Sequence, residues 1–207
     1  MYDNPGWLAV DKPAGVPTIA DRLGSDSVHA HLERQLGHRL LVVHRLDREV
    51  TGLLLFARDA PTHRALSMAF EDRRVRKRYE AWCEGTPVWR TAHWDDTLLR
   101  GKKRAYVHPA GKRAITDAAL AGEGPCGWTR VDLWPRTGRS HQLRVHLANA
   151  GLPIVGDALY GAKAPFLASE IALRAVELVF AAGVLGSDEV HLAARGLDSR
   201  WPVSAPP

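Results

Sequence analysis

The sequence predicts an α+β fold with a mixed, largely antiparallel sheet and flanking helices. Apolar, strand-like runs come in clusters with a few helical segments between them, rather than in regular alternation of strand and helix. The 207 residues suit one large domain or two small ones. No repeat, linker or low-complexity segment interrupts the chain, so we expect a single domain over residues 1–207.

The composition is that of an ordinary globular protein, with 45% hydrophobic and 25% charged residues. Cys83 and Cys126 lie far apart and fit no metal-ligand spacing, a pattern that suits a reducing compartment. The first residues lack a basic segment followed by an apolar core, so they do not form a signal peptide. No apolar run approaches the ~18 residues of a membrane span. We therefore expect a cytoplasmic protein that does not bind membranes.

The first half of the chain contains two predicted helices. One runs from Ser25, a candidate N-cap, to Gly37, a candidate stop. The other covers 59–75, where Asp59 can cap the first turn. The continuous apolar run 52–58 is typical of a buried strand. Shorter strands are predicted from WLAVDKPAG and LLVVHR.

The second half consists mostly of predicted strands. The segment 77–85 alternates, which places Tyr79 and Ala81 on one face. The segment 140–151 is predicted to be a helix that starts near Ser140. Further strands are predicted at 113–121, 127–135, 171–180 and 189–194.

Positive charge is concentrated in two segments. The chain has 28 basic and 23 acidic residues, and the segments RRVRKR (73–78) and RGKKRAYVHPAGKR (100–113) hold much of the excess. Such clusters suit a polyanion, which binds through release of its counterions. The alternative for each cluster taken alone is an ordinary solvated surface.

Asp47 stands between Arg45 and Arg48 at the end of an apolar run. A carboxylate at the edge of a core must be paired, or the pKa of the group shifts. A structural ion pair is the simplest explanation of this segment alone. The surrounding motifs favour a catalytic role for Asp47.

Four stretches resemble, in the same order, the sequence motifs of a known family. They are WLAVDKPAGVPT, HRLDREVTGLLLFA, RKRYEAWCEG and PRTGRSHQLRVHLANAGLPIVGDALYG. Together they cover roughly residues 6–180. The sequence resembles the RNA pseudouridine synthases of the RluA type. The resemblance implies a single α+β domain with a central cleft and no metal or cofactor. Because the matching segment begins within the first ten residues, we expect no appended RNA-binding domain.

The resemblance also implies roles for individual residues. Asp47 corresponds to the catalytic aspartate, Tyr79 to the tyrosine that stacks on the target base, and Arg144 to the arginine that pairs with the aspartate. Arg45 resembles a residue that reaches into the RNA. The other candidate RNA-binding residues are Arg48, Lys102, Lys103, Arg104 and Arg139.

These residue types suit the chemistry independently of the resemblance. A carboxylate can act as nucleophile or base if a cation such as Arg144 keeps it ionised. An aromatic face such as Tyr79 can hold a base that has left its stack. The Thr-Gly-Arg segment that ends at Arg139 can either cap the following helix or meet a phosphate.

The chain departs from the family pattern at two places. Val50 stands where the family commonly has threonine, and Arg174 stands where it usually has histidine. Two other interpretations are an RNA-binding module that has lost catalysis and a hydrolase that uses Asp47 and Asp157 as a carboxylate pair. The sequence best fits a monomeric isomerase that flips a uridine of a ribosomal or transfer RNA stem-loop and converts it to pseudouridine.

Overall fold

The structure is a computed structural model that describes residues 1–20, 24 and 26–200, with the side chain of Arg200 excepted. Three α-helices occur in this part of the chain: α1 (Val28–Leu36), α2 (Ala60–Glu71) and α3 (Gln142–Asn149). The strands are β1 (Tyr2–Asp3), β2 (Trp7–Lys12), β3 (Leu41–Val42), β4 (Thr51–Ala57), β5 (Val75–Cys83), β6 (Thr91–Arg100), β7 (Ala105–Val107), β8 (Lys112–Glu123), β9 (Thr129–Pro135), β10 (Leu173–Phe180) and β11 (Val190–Ala193). Antiparallel pairing predominates, so the predicted α+β class is confirmed.

The chain divides into two compact units. Unit 1 contains residues 1–76 and 175–194, and unit 2 contains residues 77–174 and the described residues from Arg195 onward. Compactness does not establish independent folding, so the expectation of one domain over residues 1–207 stays a prediction.

Unit 1 is built around β4, which is buried along its whole length. The strand order is β1-β2-β4-β10, with β3 pairing β4 and β11 pairing β10. The antiparallel register of β2 and β4 places Lys12 opposite Gly52. The core of this unit includes Trp7, Leu53, Leu55, Leu66, Leu178 and Phe180.

The two helices of unit 1 begin at side-chain caps. The hydroxyl of Ser27 accepts a hydrogen bond from the backbone of Ala30 at the start of α1, and Gly37 ends this helix in a left-handed conformation. Ser25, the predicted cap, lies outside the described residues. The predicted Asp59 cap is confirmed, since its carboxylate accepts the backbone N–H of Thr62 at 2.8 Å.

The end of α2 differs from the prediction. The helix stops at Glu71 rather than at residue 75, and Arg73 follows with a positive φ of 59°. Val75 already belongs to β5, where it is buried in the core of unit 1. The prediction failed because the basic residues after Glu71 are compatible with a helix, whereas burial of Val75 favours the strand.

Unit 2 contains an antiparallel sheet of strand order β5-β9-β8-β6-β7. Neither β6 nor β7 was predicted, although the alternating burial of β6 is a strand pattern. Helix α3 begins at Gln142, two residues later than the predicted start near Ser140, because His141 takes a left-handed φ of 54°. In the described part of the chain, no helix is both long and apolar enough to cross a membrane.

Arg174 is buried in unit 2 and has a local partner. Its Nε donates to the carbonyl oxygen of Arg195 at 2.7 Å. The arginine that replaces the usual family histidine therefore helps to hold the segment that follows Ala194.

Candidate active site

Asp47 lies in the loop between β3 and β4, where it is half-buried. The backbone N–H of Val50 donates to the carbonyl oxygen of Asp47 at 3.2 Å, which closes a turn. Leu46 before it is buried, whereas Arg45 and Arg48 are exposed. The loop therefore holds the carboxylate at the edge of the core and leaves both neighbouring arginines accessible to a ligand.

Lys12 holds one side of this loop. Its side chain is 0% exposed. The ammonium donates to the carbonyl oxygens of Pro13 at 2.7 Å, Val16 at 2.8 Å and Arg48 at 3.1 Å. A buried ammonium is tolerated only where such acceptors surround it. The lysine of the opening motif thereby ties the segment 13–16 to the residue that follows Asp47.

Two further contacts hold the loop. The hydroxyl of Thr18 donates to the carbonyl oxygen of Leu46 at 2.9 Å, and the backbone N–H of Leu46 donates back to it at 3.1 Å. Gly52 has a φ of 108°, and a Cβ there would lie 2.1 Å from the carbonyl oxygen of Ala175. Only glycine fits at that position.

Val50, the first departure from the family pattern, is buried. Thr51 beside it is fully buried as well. A β-branched apolar residue keeps the burial of this position, so the departure is compatible with the loop described above.

Tyr79 lies half-buried on β5, opposite Leu133 of β9. The next residue, Glu80, is buried and accepts hydrogen bonds from Arg78 at 3.1 Å and Arg130 at 3.2 Å. Glu80 also accepts the backbone N–H of Leu197 at 2.8 Å. Glu80 therefore ties the strand that carries Tyr79 to β9 and to the backbone at Leu197.

Arg144 is buried on α3 and forms a bidentate ion pair with Asp157. Its Nε and Nη2 atoms lie 2.6 and 2.8 Å from the two carboxylate oxygens, and the side chains are 4% and 1% exposed. Burial rules out the possibility that Arg144 is an ordinary surface residue. Sequence reasoning identified Asp157 only as a candidate member of a hydrolase carboxylate pair. The arginine inside an apolar helix was the signal that could have indicated this partner.

Tyr160 lies against the same guanidinium. The Cζ of Arg144 is 5.1 Å from the centroid of the Tyr160 ring, which is cation–π distance. The Tyr160 hydroxyl accepts the backbone N–H of Ala105 at 2.9 Å and donates to its carbonyl oxygen at 3.1 Å. The Nδ1 of His141 lies 2.9 Å from the same hydroxyl.

The Thr-Gly-Arg segment is closed by Gln142. The side-chain oxygen of Gln142 accepts from the hydroxyl of Thr137 at 2.7 Å and from the backbone N–H of Arg139 at 3.0 Å. This N–H therefore already has an acceptor within the protein and is not available to a phosphate. The side chain of Arg139 is exposed, and its Nε donates to the carbonyl oxygen of Arg113.

The basic cluster 73–78 is largely engaged within the protein. Arg74 donates to the carbonyl oxygen of Ala182, and Arg76 pairs with Glu189 at 3.0 Å. Lys77 donates to the carbonyl oxygen of Thr137, and burial lowers the pKa of Lys77 to about 8. These contacts favour a structural role for the cluster over a role in binding a polyanion.

The second cluster, in contrast, faces solvent. Lys102, Lys103 and Arg104 are exposed in the turn between β6 and β7. That turn is closed by a hydrogen bond from the backbone N–H of Gly101 to the carbonyl oxygen of Arg104 at 2.9 Å. The two predicted polyanion-binding segments thus differ, because the first is engaged within the protein and the second is accessible to a ligand.

The histidines have structural partners. His146 is buried, with Nδ1 2.9 Å from the hydroxyl of Thr116, and burial lowers the pKa of its ring. His29 lies 2.8 Å from the carbonyl oxygen of Leu40. Among the described residues, no three histidine, cysteine or acidic side chains are grouped so as to hold a metal ion.

Residues 6–149 match the sequence model of the family described as RNA pseudouridylate synthase. The chain belongs to this family. Its members are isomerases that act on uridine in RNA.

Similar proteins agree with this assignment. An uncharacterized RNA pseudouridine synthase of Zymomonas mobilis is 39% identical over 183 residues, which cover 84% of this chain and 83% of the relative. The dual-specificity RNA pseudouridine synthase RluA of Yersinia pestis is 32% identical, with 86% of this chain and 89% of that one covered. The chain is thus of the predicted RluA type.

A solved structure supports the fold. The structure of human RNA pseudouridylate synthase domain containing 1 superimposes with a TM-score of 0.76 at 23% identity, covering 94% of this chain and 81% of that chain.

The hydrolase interpretation loses its second carboxylate, because Asp157 is buried and held by Arg144.

Proposed function

We propose that this protein converts a specific uridine of structured ribosomal or transfer RNA to pseudouridine in the cytoplasm, acting as a monomer, and that Asp47 is the catalyst. The observation that carries the assignment of Asp47 is its position in a loop held by Lys12 and Thr18 and bordered by two exposed arginines. A catalytic carboxylate needs a fixed position, and a polyanionic substrate needs cations beside it.

The proposed reaction rearranges one nucleotide and releases nothing. The bond between N1 of uracil and C1′ of ribose breaks, and a bond between C5 and C1′ forms. The proton lost from C5 is balanced by one gained at N1. Asp47 starts the reaction as a nucleophile on the sugar or on the base, and the bond that it forms breaks again before the product leaves. A carboxylate or a water removes the proton from C5 once the bond between C5 and C1′ has formed.

The uridine must leave its stack before it can react. Flipping costs a few kcal/mol and is easiest where the base is poorly stacked. We assign the face of Tyr79 to stacking on the flipped base, which recovers part of that free energy. Arg45 reaches into the RNA beside the flipped nucleotide, and guanidinium planes can stack where a base has left.

We assign Arg144 the role of keeping the catalytic carboxylate ionised. A neighbouring cation favours the charged form of an acid. Within unit 2, Asp157 and Tyr160 support this role by fixing the orientation of the Arg144 guanidinium. Arg144 is thus held in place before RNA binds, which lowers the cost of ordering it during the reaction.

We assign phosphate contacts to the exposed cations. They are Arg45, Arg48, Lys102, Lys103, Arg104 and Arg139. Contacts of this kind position the RNA without reading its sequence. The shape of a stem-loop, with its splayed bases, supplies the specificity.

The test compares Asp47→Asn with a matched control, Asp72→Asn, which makes the same chemical change at an exposed residue. Mapping pseudouridines in total RNA from a deletion strain and its parent identifies the target. Purified parent protein and the Asp72→Asn variant should then restore pseudouridine in the deletion-strain RNA. Asp47→Asn should bind this RNA with nearly unchanged affinity but form no product.

Turnover by Asp47→Asn near that of the parent would show that Asp47 does not take part in the reaction. An RNA-binding module without catalysis would give no difference between the two strains and no product with the parent protein. Free uracil or cut strands would indicate a hydrolase.

A further inference from the structure

A cavity of about 300 Å³ opens in unit 2 between the β6–β7 turn, the start of β8 and the Thr-Gly-Arg segment. Its lining is sharply divided by chemistry. Arg100, Lys112 and Arg139 provide three cations, and Ser140 provides a hydroxyl. The apolar part of the lining includes Leu98 and Ala105. No carboxylate lines this cavity, all of whose lining residues belong to the described part of the chain.

The cations of the cavity differ from the arginines beside them. Arg113 forms a bidentate pair with Asp95, and Arg136 pairs with Asp117. Within the residues that the structure describes, none of the three cavity cations pairs with a carboxylate. The positive charge of the cavity is therefore not neutralised by the protein, although acidic residues are available on the same strands.

Two of the cations are held in place by backbone. The Nη1 of Arg100 donates to the carbonyl oxygen of Lys103 at 3.2 Å, and the Nε of Arg139 donates to that of Arg113 at 2.9 Å. A guanidinium has five N–H donors, so one bond to a carbonyl orients it without using its capacity. Cations fixed in this way lose little conformational freedom when an anion binds.

The cavity wall also depends on a glycine. A Cβ at Gly111 would lie 2.4 Å from the carbonyl carbon of Leu98. The close approach of these two backbones keeps Lys112 at the rim of the cavity, where it is exposed to solvent.

We propose that this cavity binds one phosphodiester group of the RNA, with its phosphate between Arg100, Lys112 and Arg139 and its ribose against the apolar wall. The inference rests on the proposed function, which makes RNA the ligand. The inference adds Arg100 and Lys112 to the proposed RNA-binding residues and states that the cavity holds one phosphate. Arginine suits phosphate because its planar fork can donate two hydrogen bonds to one phosphate group.

The geometry favours RNA backbone over a free anion. All three cations are exposed, so a polymer can reach them, and the apolar lining offers a surface that inorganic phosphate would not use. A volume of about 300 Å³ is at the small end of ligand pockets, which suits one sugar–phosphate unit.

The experiment measures the affinity of a fluorescent oligouridylate as a function of salt concentration. Phosphate contacts do not read sequence, so this probe need not be a substrate, and the result does not depend on whether the protein isomerises uridine. The test variant is Arg100→Gln/Lys112→Gln. The control variant, Arg39→Gln/Arg64→Gln, removes the same net charge at exposed residues of unit 1.

Because the three cations share one phosphate, the double variant should lower affinity while Arg139 still contacts that phosphate. Adding Arg139→Gln should lower the slope of log K against log salt by about 0.7 in total, the value for one single-strand phosphate. The control variant should retain the parent slope. The parent should bind uridine monophosphate, but not inorganic phosphate, in competition with the probe.

A triple variant with the parent slope would overturn the proposal. So would slope changes that add up with each of the three substitutions, because they would indicate separate phosphates on an open surface. Competition by inorganic phosphate as strong as that by uridine monophosphate would contradict the role of the apolar wall and assign the cavity to a free anion.

Discussion

The guanidinium of Arg144 and the carboxylate of Asp157 form a bidentate ion pair inside unit 2, with distances of 2.6 and 2.8 Å. Both side chains are buried, so neither can be rehydrated if its partner is lost. Removing one member of a buried pair costs about 3–5 kcal/mol, whereas replacing both with apolar residues is often neutral.

Arg144→Met should therefore lower the free energy of unfolding by about 3–5 kcal/mol, since it leaves the carboxylate of Asp157 unpaired. Adding Asp157→Leu should recover most of this stability. Activity should be lost in both variants, because the proposed role of Arg144 in catalysis is not restored. Denaturant unfolding and product formation measure the two effects separately. Activity that returns together with stability would reduce Arg144 to a structural residue.

Lys12→Met should destabilise the protein and impair catalysis more than RNA binding. The carbonyl oxygens of Pro13, Val16 and Arg48 would lose a charged donor, at about 1.5–3 kcal/mol for each hydrogen bond. The Asp47 loop would lose one of the three supports described above, and Thr18 and Gly52 would remain. Lys163→Met, at an exposed position, is the control and should resemble the parent. A kcat equal to that of the parent would show that Thr18 and Gly52 suffice to hold the loop.

Stability should rise with pH between about 8 and 10.5 because of Lys77. Burial lowers the pKa of Lys77 from 10.5 to about 8, so in this interval the unfolded state binds more protons than the folded state. The gain should be about 3 kcal/mol, since one pKa unit corresponds to about 1.4 kcal/mol. The measurement compares the free energies of unfolding of the parent and Lys77→Met from pH 7.5 to 10.5. Their difference isolates this residue, and parallel curves would contradict the assignment.

Replacing Lys102, Lys103 and Arg104 with alanine should weaken RNA binding and reduce its salt dependence. These residues are exposed in one turn, so each lost phosphate contact lowers the slope. Product formation at saturating RNA should remain near that of the parent. The matched control removes three exposed arginines elsewhere, namely Arg39, Arg64 and Arg90. Equal slopes for the two triple variants would mean that the turn acts only as solvated surface.

An isolated stem-loop with the target uridine in its loop should be modified about as well as the full RNA. Loop bases are splayed and cheap to flip, whereas a duplex hides them. Turnover is compared on the intact RNA, on the excised stem-loop and on the same sequence forced into a duplex. Efficient modification of the duplex would overturn this prediction, as would failure on the stem-loop.

The sequence predicted the elements whose signals are local. The cap at Asp59 and the end of α1 at Gly37 depend on neighbouring residues, and the apolar run that forms β4 is continuous. Strand β7 was missed because it has only three residues, and β6 was missed because its burial alternates mostly between exposed and half-buried residues. The end of α2 was misplaced because the burial of Val75 depends on tertiary contacts.

For the site, the sequence predicted the candidate catalytic residues but not the contacts that hold them. Motifs pointed to Asp47, Tyr79 and Arg144, but not to the residues that hold them. The acceptors of Lys12 are backbone oxygens, which carry no sequence signal. Asp157 lies 13 positions from Arg144, and no spacing rule relates the two residues.

The engagement of the 73–78 cluster within the protein has a practical consequence for purification. A calculated isoelectric point of about 9.5 treats every basic residue alike. Arg76 and Arg78 are neutralised by acidic partners, so they contribute little to the field that a resin experiences. Retention on heparin should therefore follow the few cations around the β6–β7 turn, and variants of equal isoelectric point should elute at different salt concentrations according to which arginine they lack.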